Sequence, residues 1–194
     1  MGTGKLKSKL DSSEKTVNLT IRVKKEILDN LKLYASGKET TLNSAVNQLL
    51  SQALDWDILA AKAGWVPMPK PALINIMEKL DEKTITEIAE SNGKTVPKDF
   101  LHIMKGAYSM EAFLDVLKNR SSAAGFNYTE ISENDFVKIV MLHDMGIKWS
   151  KYFKAYFDST FKQLGCTAQF STSENSVIFT VDKKFYPKSE YQRY

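Results

Sequence analysis

Val17, Leu19, Ile21 and Val23 alternate with Asn18, Thr20 and Arg22, and a helical pattern follows them with no turn between. A period of two places alternate side chains on opposite sides of an extended backbone, so the stretch predicts a strand over 16–23 with one apolar and one polar side. The spacing then becomes helical. Ile27, Leu28, Leu31, Tyr34 and Ala35 share a face over 24–36, and Gly37 is a natural stop. Thr41-Leu-Asn-Ser44 opens a second helix over 43–63, apolar at Leu42, Val46, Leu49, Leu50 and Ala53 and continued by Trp56, Ile58, Leu59 and Ala60 up to Gly64. One strand and two helices cannot bury these faces alone, and a lone strand leaves its backbone groups unpaired. The expected solution is a second copy of the chain, giving a two-stranded antiparallel ribbon over four interlocked helices.

This order resembles the ribbon-helix-helix family of DNA-binding regulators, of which Arc and MetJ are members. The residues that carry the resemblance are Asn18-Leu-Thr-Ile-Arg22, Lys24-Lys-Glu-Ile-Leu28 and Thr41-Leu-Asn-Ser44. It covers about residues 15–63, roughly a quarter of the chain; one departure is Lys24, where many members have proline. The resemblance implies that Asn18, Thr20 and Arg22 contact bases from the outer side of the ribbon. It also implies that Thr41, Asn43 and Ser44 hold a phosphate at the start of the second helix. Lys24 and Lys25 are expected to add phosphate contacts. The residue types fit these roles: Arg pairs bidentately with guanine, Asn with adenine, and Thr offers a hydroxyl and a methyl. Thr41 or Asn43 is an ordinary capping residue as well, and a helix start with free N–H groups is also an anion site.

Charge is distributed to match. The whole chain carries +4, but residues 1–25 hold seven basic groups against two acidic ones, and the remainder nets −1. A basic N-terminal arm running into a ribbon is the footprint expected for a polyanion partner. With 194 residues, 43% hydrophobic and 26% charged, the chain can hold two small domains with packed cores. Apolar runs such as Ile139 to Leu142 are too short to span a membrane, and the lysine-bearing start has no apolar signal region. The single Cys166 forms no internal disulfide and favours the cytoplasm.

Composition divides the chain into a flexible arm (1–14), the DNA-binding and dimerisation module (15–64), a proline-containing linker (65–71), an assembly or sensing domain (72–182) and a polar tail (183–194). Within the assembly or sensing domain, helical stripes run through Leu73 to Leu80 and Ile85 to Ala89, the latter ending near Asn92-Gly93. Pro97 is expected to open another helix at its first turn, and Ser109 a further one. After Gly125 the period changes to two, predicting strands at 126–131, 136–143, 167–172 and 176–181, with a helix over 147–164 and a hairpin at Ser173–Ser176. The fold class is therefore α+β: a dimeric β-α-α module, a helical segment, then β-β-α-β-β.

Other chemistry finds little support. His102, His143 and Cys166 lie far apart in sequence, so a metal site is not expected, and His143 reads as a buried, hydrogen-bonded core residue. The aromatic stripe Trp149, Tyr152, Phe153, Tyr156, Phe157, Phe161 reads as core against a sheet rather than as a ligand pocket. There is no glycine-rich phosphate loop or nucleophile elbow, so neither a cofactor nor an enzymatic activity is expected. The reading is a dimeric, sequence-specific transcriptional regulator with double-stranded DNA and itself as partners, and an effector or protein partner for its second domain. Its rivals are an antitoxin-type autoregulator, an architectural DNA-coating protein, and an enzyme or metabolite-binding protein in which the ribbon only dimerises.

Overall fold

The computed structural model describes residues 16–186. The expected arm at 1–14 and most of the expected tail lie outside them. Helix α1 (Lys25–Gly37) starts at Lys24, whose extended backbone (φ −61°, ψ 147°) sets the direction of entry, and Glu26 in the first turn suits the positive helix end. After Gly37 the chain turns through Glu39 at φ +51°. Helix α2 (Leu42–Gln52) is capped by Thr41, whose hydroxyl oxygen accepts the Ser44 amide at 3.1 Å. It runs through a π-helical turn (Ala53–Asp57) into α3 (Ile58–Lys62), so the second helix is as long as its apolar content predicts. Gly64 at φ +81° ends it.

Residues 16–24 do not form the expected strand; the first regular element is α1, and the sheet lies at the C-terminal end. The segment is in neither helix nor strand, and no strand lies beside it among the described residues. Alternation specifies which side chains share a side. It cannot supply the second edge that makes an extended segment a strand.

Helix α4 (Lys70–Glu78) carries Pro71 in its first turn, and Asp81 caps α5 (Glu82–Lys105) by accepting the Thr84 amide at 2.9 Å. Two stripes predicted as separate helices are one. Asn92-Gly93 does not end α5, and Pro97 lies inside it rather than at a start. The reason is tertiary. A Cβ on Gly93 would stand 2.5 Å from the Tyr156 carbonyl oxygen and 2.8 Å from the Ser159 Cβ, so glycine is what allows close approach of the facing helix. Helix α6 (Met110–Ala123) is capped by Ser109 through the Ala112 amide at 3.2 Å.

The sheet follows: β1 (Asn127–Ser132), β2 (Phe136–Leu142), then α7 (Ile147–Gln163), β3 (Gln169–Thr172) and β4 (Ser176–Asp182), in the spatial order β1-β2-β4-β3 with every pair antiparallel. The β-β-α-β-β order and the Ser173–Ser176 hairpin are as the period predicts. Ser173 closes the hairpin by donating its amide to the Ser176 carbonyl at 3.0 Å. Val137, Ile139 and Met141 of β2 and Val177, Phe179 and Val181 of β4 are buried on one side of the sheet. Against them lies α7, whose Phe153, Phe157 and Phe161 recur every four residues and stack with centroids 5.8 and 6.3 Å apart. The aromatic stripe is core; truncating one of these rings to alanine costs about 3–5 kcal/mol.

The core continues past the proline-containing segment. Trp56 and Ala60 of the long helix are buried with Phe100 and Phe113, and Trp65 meets Trp56 at 5.4 Å and Phe100 at 5.9 Å, edge to face. No helix among the described residues is long and apolar enough to cross a membrane.

Candidate nucleic-acid interface

Of the eight residues assigned to DNA contact, seven sit in two places. Asn18, Thr20, Arg22 and Lys24 are exposed along the segment before α1; Asn43 and Ser44 are exposed in the first turn of α2, beside the exposed Thr41 cap. Lys25 is the first residue of α1 and is also exposed. Thr41 both accepts the Ser44 amide and donates to the Ser44 Oγ at 2.9 Å, so these two side chains are held together. Capping leaves other first-turn amides of α2 pointing to solvent, where an anion is favoured by the positive helix end. Within one chain, no side-chain hydrogen bond among the described residues joins the 16–24 segment to this turn.

The apolar residues of the segment are bare. Val17, Leu19, Ile21 and Val23 are 88%, 73%, 55% and 41% exposed. Helices α1 and α2 pack on each other through Ala35 and Ala45, which are buried, and leave much else uncovered: Ile27, Tyr34, Leu50, Leu54 and Ile58 all remain exposed. An apolar surface of this extent on a folded chain marks an interaction site.

In the second half, His143 is buried as the sequence predicts. Its Nδ1 accepts the Met145 amide at 3.1 Å, which leaves the proton on Nε2, 2.9 Å from the Ser150 Oγ. Ser150 in turn donates to the Glu174 carbonyl at 3.1 Å. The Asn175 side chain accepts the Gly146 amide at 2.9 Å, so the end of β2, the start of α7 and the β3–β4 hairpin are tied together. This tautomer gives Ser150 no base, so the pair is a fastener rather than a nucleophile. Burial pulls the His143 pKa down to about 4, the nearby Asp144 opposing and Lys70 reinforcing the shift. Among the described residues, no three His, Cys, Asp or Glu side chains gather where a metal ion could sit.

One residue that sequence reasoning passes over is Arg120, near the end of α6. Its guanidinium lies 4.3 Å over the Trp65 ring and 5.9 Å from the Phe153 ring centroid. No periodicity could reveal this, because the three residues come from α6, the segment after α3, and α7. The chain matches no protein-family model and no curated protein.

Proposed function

We propose that the protein is a dimeric, sequence-specific DNA-binding transcriptional regulator that uses its N-terminal 64 residues in the manner of the ribbon-helix-helix family. The observation that carries this reading is the exposure of the segment 16–24. Val17, Leu19, Ile21 and Val23 are exposed to solvent and alternate in sequence with the exposed Asn18, Thr20 and Arg22, an order that separates the two sets onto opposite sides of a backbone when it is extended. A chain alone gains nothing from that arrangement. Two copies pairing through this segment would satisfy its backbone and bury the apolar side over α1 and α2 of both, and would present the polar side twice, related by a twofold axis.

Such a ribbon fits the major groove, with bases read by Asn18, Thr20 and Arg22 and phosphates held by Lys24, Lys25 and the α2 start at Thr41, Asn43 and Ser44. The α+β part, which shares its core with the end of the second helix, is where an effector or a protein partner would act. The test is genome-wide mapping of bound DNA followed by binding to the recovered site and to random duplex. Recovery of a palindromic site supports the reading; equal affinity for both duplexes favours a DNA-coating protein, and no binding favours a dimerisation-only role.

A further inference from the structure

Helix α4 is fastened to the rest of the chain by polar groups rather than by packing. It buries one residue, Met77, whereas α5, α6 and α7 bury seven each. None of its residues belongs to the main buried cluster. Leu73 and Ile74 are half-buried, and Ile76 is 55% exposed. Irregular backbone bounds it on both sides, at 65–69 before it and at 79–81 before α5.

Its attachments run from side chains to backbone oxygens at its start, middle and end. Lys70, its first residue, donates to the His143 carbonyl at 3.3 Å and lies 4.9 Å over the Phe126 ring. The Trp149 indole N–H donates to the Leu73 carbonyl at 3.4 Å. Lys148 of α7 donates to the Glu78 carbonyl at 2.9 Å and to the Leu80 carbonyl at 2.8 Å, and its ammonium stands 3.5 Å from the Glu78 carboxylate. One cation thus answers the carbonyl end of α4, where the helix dipole is negative and the last oxygens have no amide of their own.

A segment that buries little apolar surface opens at a lower free energy than the core it lies on. We propose that α4 is a strap that opens as one unit about 65–69 and 79–81, with Lys148 as its latch. Opening bares the Trp149 ring and its N–H. The layer beneath keeps its own packing, since Trp149 also meets Tyr152 and Phe153 of α7 at 5.2 and 5.5 Å between centroids. The strap does not rest on the DNA-binding reading, and it is measured with no DNA present.

The experiment is native-state hydrogen exchange of the full chain at pH 7, read by mass spectrometry for α4 and for the central strands β2 and β4. The hydrogen-bonded amides of α4 should exchange together, at least about 10-fold more often than those of the strands, and at a rate that low urea hardly changes. Lys148→Met should raise the α4 rate by about 10-fold or more and leave the strands as they were. Lys154→Met, which removes an exposed lysine of the same helix, should change neither. Exchange of α4 only together with the strands in the parent, an unchanged α4 rate in Lys148→Met, or equal acceleration of α4 and strands would each overturn the proposal. Should Lys148→Met not fold, the comparison of α4 with the strands in the unaltered chain decides alone.

Discussion

Thr160 supplies the hydrogen bond that Pro97 removes. A proline inside a helix has no amide for the carbonyl four residues earlier, which here belongs to Gly93. The Thr160 hydroxyl of α7 lies 3.2 Å from that carbonyl oxygen, and 2.8 Å from the Tyr156 carbonyl within its own helix. One turn away, Ser159 donates to the Glu90 carbonyl at 2.9 Å. The two irregularities of α5 are therefore its docking site for α7: Gly93 makes room, and Pro97 leaves an acceptor.

Thr160→Val keeps the shape and loses the donor, so unfolding free energy should fall by about 1–3 kcal/mol. The loss should be smaller when Pro97→Ala is already present, because an alanine amide then serves Gly93. Urea denaturation of the four proteins of this cycle measures the coupling. Strict additivity would show that Thr160 acts through its own helix only. Gly93→Ala should be more damaging than either, since its Cβ meets backbone oxygen at 2.5 Å.

The His143 fastener gives stability a pH dependence. Unfolded, the imidazole takes a proton near its ordinary value of 6.5; folded, it resists protonation down to about 4. The unfolded state thus binds the extra proton between those values, and stability falls as pH drops from 6.5 towards 4, by up to about 1.4 kcal/mol per pH unit. Above 6.5 this group contributes no slope. Comparing the parent with His143→Gln over that window isolates the imidazole from the carboxylates. The variant should be less stable at pH 7 and lose stability less steeply on acidification; parallel curves would contradict the assignment.

What is legible in the sequence follows from which forces are local. The alternation at Val137, Ile139, Met141 and at Val177, Phe179, Val181 finds the central strands because each buries one side against α7 within the same chain. The four-residue recurrence of Phe153, Phe157 and Phe161 finds the facing helix for the same reason. Pro97 misleads because its usual cost is offset by Thr160, sixty-three positions away and invisible to any window. The 16–23 alternation predicts a strand, yet the described residues hold no partner edge for it. Residues Asn18, Thr20 and Arg22 do stand exposed, whereas Arg120 gives no signal because Trp65 and Phe153 meet it only in the folded chain.

Dimerisation through the N-terminal segment can be separated from folding. Ile21 is 55% exposed in the single chain, so Ile21→Glu should leave the α+β core and its thermal transition almost unchanged. In the proposed dimer the same position is buried, and an unpaired charge there costs several kcal/mol. Sedimentation equilibrium at micromolar concentration should show a dimer for the parent and a monomer for the variant. A parent that is already monomeric would remove the basis of the proposed interface.

Arg22 bears most directly on the central claim. It is exposed, so Arg22→Ala should hardly alter thermal stability. If the polar side of the segment reads bases, each copy gives up a bidentate pairing worth about 1–3 kcal/mol of discrimination, and a twofold-symmetric site does so twice where the effects add. Binding to random duplex should weaken only by the one charge removed per chain, seen as a slope of log affinity against log salt shallower by roughly one unit for each phosphate no longer neutralised. The deciding measurement is the ratio of specific to random affinity for parent and Arg22→Ala at one salt concentration. This ratio is expected to fall by about 10-fold or more; an unchanged ratio would mean that the segment reads no bases and serves only to join two chains.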